Sequence, residues 1–259
     1  MMISDVSRTN CLIVGAGALG LLIAAAIKKS QQSDGKNGYV GVFNRRLLPV
    51  PVTVQLPDGE NVDMTSCLNT EIPDWFAHSS ARRIVFFCLP PESTEVVSLS
   101  FLNNAKAIFE ASQNVTIVFC NNGCLPRSLI SHLESEGFAT LRALFFIGAV
   151  RQESSMGTCV SWTGGNRAVW NEIVSANPSP VVESQEVLQQ LSFLLNSGER
   201  FVDWLRTDNI FAMERCKFFT NFILAAGIGR RKEKNKRLYS RLNSGTLDMT
   251  ASQCARLWQ

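Results

Sequence analysis

Residues 11 to 29, CLIVGAGALGLLIAAAIKK, hold seventeen uncharged residues in a row before the first lysine. A spanning helix needs about 20 apolar residues, and a secretory leader needs a small-residue cleavage site after its apolar core. The run is marginal for the first and passes straight into Lys28-Lys29, without such a site, which argues against the second. Its glycines point elsewhere. Gly15, Gly17 and Gly20 stand as GxGxxG, with the apolar Cys11-Leu12-Ile13-Val14 before them and the helix-forming run Leu19 to Lys29 after them. The pattern predicts strand, tight turn and helix, and no membrane segment.

Each glycine has its own reason. Gly15 permits the sharp turn off the strand, Gly17 lets backbone approach a pyrophosphate, and Gly20 lets the helix pack closely on the sheet. The free N–H groups at the helix start then hold the anion. Gly15, Ala16, Gly17, Ala18, Leu19 and Gly20 are therefore the candidate phosphate cradle of a dinucleotide. A lone GxGxxG is weak evidence, so its weight depends on the strands and helices further along the chain.

Tyr39 to Phe43 reads as a second strand, ending in Asn44-Arg45-Arg46. At that strand end an acid would take the ribose 2′-hydroxyl of NAD(H), whereas an arginine accommodates the 2′-phosphate of NADP(H). With no acid and two arginines, the sequence favours NADPH, with Arg45 as the contact; two solvated loop arginines are the plainer alternative. Val52 to Leu56, the turn Pro57-Asp58-Gly59 and Val62 to Met64 suggest a hairpin. Ile84 to Leu89 and Val115 to Cys120 are continuous apolar runs, as in strands buried on both faces, with a helix between them over 92–110. The second run delivers Asn121-Asn122-Gly123 at its C-terminal end, where open α/β sheets bind ligands. Leu141 to Ile147 and Thr158 to Thr163 are later strands, the second ending in Gly164-Gly165, and Ser184 to Asn196 and Asn209 to Ala226 read as helices. The expected class is α/β: a Rossmann-type doubly wound, NADP-binding domain over 1–206, then a short, mostly helical part with a basic tail over 207–259.

The charge distribution disfavours nucleic acid as a partner. From Arg230 onward eight Lys/Arg face only Glu233 and Asp248, a net of +6 against +3 for the whole chain, so the remainder carries −3. A nucleic-acid binder would show its basic excess on the folded domain. The eight cysteines include no CxxC pair, and only His78 and His132 are available to complete a metal site, so buried reduced thiols in a cytoplasmic protein are expected and no metal.

The ordered series "GAGALG" at 15–20, "FNRR" at 43–46, "CNNG" at 120–123, "GTCVSWTGG" at 157–165 and "KFFTN" at 217–221 resembles the ketopantoate (2-dehydropantoate 2-) reductases of the 6-phosphogluconate-dehydrogenase-like group. The resemblance spans most of residues 10 to 226. Lys217 and Asn221 are four apart, hence on one helix face. By the resemblance, Lys217 is the general acid, Asn221 a ligand of a small 2-oxo acid substrate, and Asn121 lies near the nicotinamide. Phe218, Phe219, Phe222, Ile223 and Leu224 leave that helix little polar surface, where an ammonium without a partner or task is costly.

Three departures qualify the match. Pro90-Pro91 stand where the family often has a lysine, and Ala225 where it has a further asparagine. After Gly229 no serine or glutamate aligns with those of the family's closing helical domain, so that domain is expected to be shortened, replaced or absent. The resemblance implies NADPH-dependent reduction of 2-dehydropantoate to pantoate, on the route to pantothenate and coenzyme A. It also offers, by analogy alone, a homodimer through the helical region. A reductase of another 2-oxo acid or of an imine, and a non-catalytic NADP(H)-binding descendant, stay open.

Overall fold

The computed structural model describes residues 9–33, 38–77, 81–110, 115–121, 123–174 and 203–217. Its strands are β1 (Thr9–Val14), β2 (Val40–Phe43), β3 (Val52–Gln55), β4 (Asn61–Asp63), β5 (Leu68–Asn69), β6 (Arg82–Phe87), β7 (Val115–Phe119), β8 (Ala139–Ser154), β9 (Gly157–Val174) and β10 (Asp203–Arg206). The helices are α1 (Ala18–Ser33), α2 (Asp74–Ala77), α3 (Pro91–Glu110), α4 (Arg127–Glu136) and α5 (residues 210–217).

All ten strands join one sheet. Strands β5, β2, β1, β6, β7 and β8 lie side by side in that order and in parallel. This is the doubly wound arrangement: the chain leaves β1 for β2 on one side and returns to β6 on the other, which opens a crevice at the C-terminal ends of β1 and β6. The apolar runs are explained by burial on both faces. In β1, Cys11 and Ile13 enter the cluster around α1, while Leu12 and Val14 enter the opposite cluster with Phe87, Phe101, Phe119, Leu129 and Leu133. A strand with helices on both sides has no solvent face for a charge.

Helix α1 is enclosed further. Beyond its pairing with β7, β8 runs on to Ser154 and returns as the antiparallel β9, whose outer edge takes β3 in parallel at Val52 to Gln55. Val52, Val54, Met64 and Val160 from this extension pack in the same cluster as Leu21, Leu22, Ile23 and Ile27. A helix covered on all sides must be apolar all round. That is why residues 21–27 read like a membrane segment; no helix among the described residues is long and apolar enough to cross one.

Gly164-Gly165 does not end a strand as expected. β9 continues through it, with register shifts around Gly148 and its partner Gly164. A Cβ at Gly165 would sit 2.1 Å from the Phe146 carbonyl oxygen, so the glycines admit an irregularity where two backbones approach closely. Helix α4 and strand β10 were not foreseen. The 184–196 helix, Asn122 and Asn221 lie outside the described residues, and of the expected 209–226 helix only α5 is described.

Candidate active site

The glycine-rich turn has the expected construction. Gly15 adopts φ 109°, and a Cβ there would lie 2.6 Å from the Cys88 carbonyl oxygen; a Cβ at Gly20 would lie 2.2 Å from that of Gly15. Both positions are closed to side chains by backbone. At Gly17 a Cβ would meet no heavy atom within 4 Å, so this part of the turn faces open space. Leu21 N–H bonds to the Gly17 carbonyl at 3.0 Å, which leaves the N–H groups of Ala18, Leu19 and Gly20 outside the helical pattern. The first turn of α1 carries no acidic residue. An anion-binding backbone with room beside it fits a dinucleotide pyrophosphate.

Arg45 follows β2 at the same edge of the sheet. Its side chain is exposed, and Nη2 donates to Ser100 Oγ on α3 at 2.8 Å. On the other side of β1, the amide of Cys88 bonds to the Val14 carbonyl and that of Cys120 to the Phe87 carbonyl, both at 2.9 Å. These bonds extend β6 and β7 by one residue. The neighbouring Cys120 thiol, and then burial, push the Cys88 thiol well up, which makes it a poor nucleophile at neutral pH.

Past Cys120, Asn121 is 3% exposed. Its surroundings rest on Arg142, a residue that sequence reasoning passed over. Arg142 is wholly buried; its Nη1 donates to Phe119 O at 2.8 Å and Asn121 Oδ1 at 3.2 Å, and its Nη2 to Asn121 O at 2.7 Å and Gly123 O at 2.9 Å. The charge is met by Glu214 on α5, 3% exposed, whose Oε1 accepts from Arg142 Nε at 2.9 Å and Nη2 at 2.5 Å. A signal for the pair existed: Arg142 interrupts "LRALFFI", and Glu214 precedes Lys217 by three residues. Buried charges need partners, but nothing local says that these two find each other. Arg151 was also passed over; its Nη1 donates to the Ala16 carbonyl and ties the β8–β9 extension to the glycine-rich turn.

Lys217, one turn after Glu214, is half-buried. Its Nζ donates to the Phe145 carbonyl and lies 5.2 Å from the centre of the Phe146 ring. Burial, and then the Arg142 charge, draw its pKa down from 10.5 to about 8, with Cys120 and Glu214 opposing. Register places Arg142 opposite Phe119, so Phe145 lies just past the end of β7, level with the strand-end loop. Lys217, Asn121 and the glycine-rich turn therefore share the C-terminal edge of the parallel sheet. Arg45 stands at that edge beyond β1.

Fold and edge together define a Rossmann-type, doubly wound α/β architecture. Among solved structures, the chain is similar to 2-dehydropantoate 2-reductase from Porphyromonas gingivalis W83, with a TM-score of 0.54 and 14% identity over 86% of this chain and 72% of that one. It is also similar to an octopine dehydrogenase in complex with NADH and agmatine (TM-score 0.51, 14% identity, 86% of this chain, 54% of that one). A third is a putative prephenate dehydrogenase of Corynebacterium glutamicum ATCC 13032 (TM-score 0.51, 13% identity, 87% of this chain, 64% of that one). The chain thus spans less than two thirds of the length of the last two. At such identities the likeness is one of fold. No protein-family model and no curated protein matches the sequence.

Proposed function

We propose that the chain is an NADPH-dependent reductase of a small 2-oxo acid, with 2-dehydropantoate, reduced to (R)-pantoate, as the leading substrate. The observation that carries the reading is Lys217, an ammonium with a pKa near 8 at the sheet edge that also carries the glycine-rich turn. In this reading Gly15 to Gly20 hold the pyrophosphate, Arg45 the 2′-phosphate, and Asn121 lies on the nicotinamide side. NADPH supplies the hydride that reaches the carbonyl carbon. Negative charge then grows on the carbonyl oxygen, where the Lys217 ammonium stabilises it and passes its proton across. The lysine is left neutral and regains a proton from water. A pKa near 8 suits the task, since the group is charged at pH 7 yet gives up its proton more readily than an ordinary lysine. Asn221, outside the described residues, completes the proposed substrate contacts.

A second reading, NADP(H) binding without turnover, is favoured by one feature: the Phe145 carbonyl already satisfies Lys217, so its role would be structural. Lys217→Ala separates the two. The reductase reading expects turnover to fall by a factor on the order of 10² with NADPH affinity nearly kept. Unchanged turnover would exclude Lys217 as the acid.

A further inference from the structure

The Asn121 side chain has one committed polar atom and one uncommitted. A guanidinium only donates, so the amide atom 3.2 Å from Arg142 Nη1 is the oxygen, Oδ1. The nitrogen, Nδ2, is buried and has no hydrogen-bond partner among the described residues. An orphaned buried donor is destabilising unless something meets it. Arg142 has no freedom to release the oxygen: four further contacts, to the carbonyls of Phe119, Asn121, Ala143 and Gly123, fix its Nη1 and Nη2, while Nε is fixed on Glu214.

We propose that the buried Arg142–Glu214 pair is a positioning device for ligand recognition. It holds the main chain at Phe119, Asn121 and Gly123 and the rotation of the Asn121 amide, so that Asn121 presents a donor, Nδ2, to an acceptor oxygen of the bound ligand. Because Glu214 lies one turn before Lys217 on α5, the same pair ties the donor to the helix that carries the ammonium. The inference rests on the dinucleotide-reductase reading for the source of that oxygen. Two sources share the chemistry, the carboxamide of the nicotinamide and the carboxylate or carbonyl of a 2-oxo acid.

The test uses the full chain with Asn121→Asp, Asn121→Ala, the apolar double variant Arg142→Met/Glu214→Leu, and the double variant combined with Asn121→Ala. Replacing both members of a buried pair by apolar groups is often tolerated, and thermal unfolding checks that each variant is folded. NADPH dissociation constants are measured by nucleotide fluorescence, and KM for the 2-oxo acid by turnover. Asn121→Asp keeps an oxygen for Arg142 but removes the donor. It should weaken binding at least as much as Asn121→Ala, on the order of tenfold. The double variant should lose a similar factor, and adding Asn121→Ala to it should cost little more, because both remove one contact. A loss in NADPH affinity assigns the oxygen to the cofactor; a loss confined to KM assigns it to the substrate.

Losses that multiply in the combined variant, or an Asn121→Asp protein that binds as wild type, would overturn the proposal. The positioning is also read without any ligand, from the Asn121 side-chain amide resonances, identified by their absence in Asn121→Asp. They should shift and exchange faster with solvent in the Arg142→Met/Glu214→Leu protein, and no change would overturn the device even if NADPH proved not to bind. Wild-type protein that binds no NADPH while those resonances respond as expected would instead count against the reductase reading alone.

Discussion

Lys217 on α5 donates its ammonium proton to the main-chain carbonyl of Phe145 on β8, 72 residues earlier in the chain. The contact holds a half-buried cation at the C-terminal edge of a parallel sheet, and desolvation is the first cause of its lowered pKa, the nearby Arg142 charge the second. For a general acid the sign is fixed: the active form is protonated, and it is lost as pH rises through the pKa of the folded state. The dependence of kcat/KM on pH should therefore fall on the alkaline side with a midpoint near 8. Arg142→Met, by removing the opposing positive charge, should move that midpoint upward.

The same shift acts on stability. Between about 8 and 10.5 the unfolded lysine is still protonated while the folded one is not, so the unfolded state binds more protons and stability rises with pH. Urea unfolding of wild type and Lys217→Met across this range checks it. The wild-type rise should exceed that of the variant, and equal slopes would show that Lys217 does not titrate in this window.

Two glycines of the turn, Gly20 and Gly17, should separate by variant. Gly20→Ala places a Cβ against the Gly15 carbonyl and should destabilise by roughly 1–3 kcal/mol. Gly17→Ala meets no protein atom, so its thermal midpoint should stay near wild type while NADPH affinity falls on the order of tenfold as the methyl blocks the approach of the pyrophosphate. Calorimetry and fluorescence titration on the same preparations measure both.

Much of this was legible in the sequence, for reasons that differ along the chain. The GAGALG turn and the strands around it were readable because a buried parallel strand leaves an uninterrupted apolar run and a tight turn leaves its glycines in place. The long β8–β9 hairpin was not, because residues 148–154, GAVRQES, are mixed in character and give no sign that they stay paired beyond the parallel sheet and cover α1. Arg142 and Glu214 escaped notice for the same reason. Arg142 is a lone charge in an apolar stretch and Glu214 one of three charges on α5, and only the fold brings them to 2.5 Å.

Removing one member of that pair is expected to be worse than removing both. Arg142→Met alone strands the Glu214 carboxylate in the interior and should cost about 3–5 kcal/mol. Arg142→Met/Glu214→Leu should recover most of that loss in denaturant unfolding. A double variant no more stable than the single would show that the pair's contacts to the carbonyls of Phe119, Asn121 and Gly123 outweigh the charge left behind.

Cofactor choice is tested at Arg45, which is exposed beyond β2. Arg45→Ala should weaken NADPH binding by on the order of tenfold or more and leave NADH binding nearly unchanged. Equal losses for the two nucleotides would refute a 2′-phosphate role.

The most direct test of the reductase itself is oxidation of NADPH by the purified chain, followed at the nicotinamide absorbance with 2-dehydropantoate present and then omitted. The account predicts turnover that depends on the 2-oxo acid and is lost in Lys217→Ala. NADPH that binds but is not consumed, with this substrate and with a panel of other 2-oxo acids and imines, would contradict it.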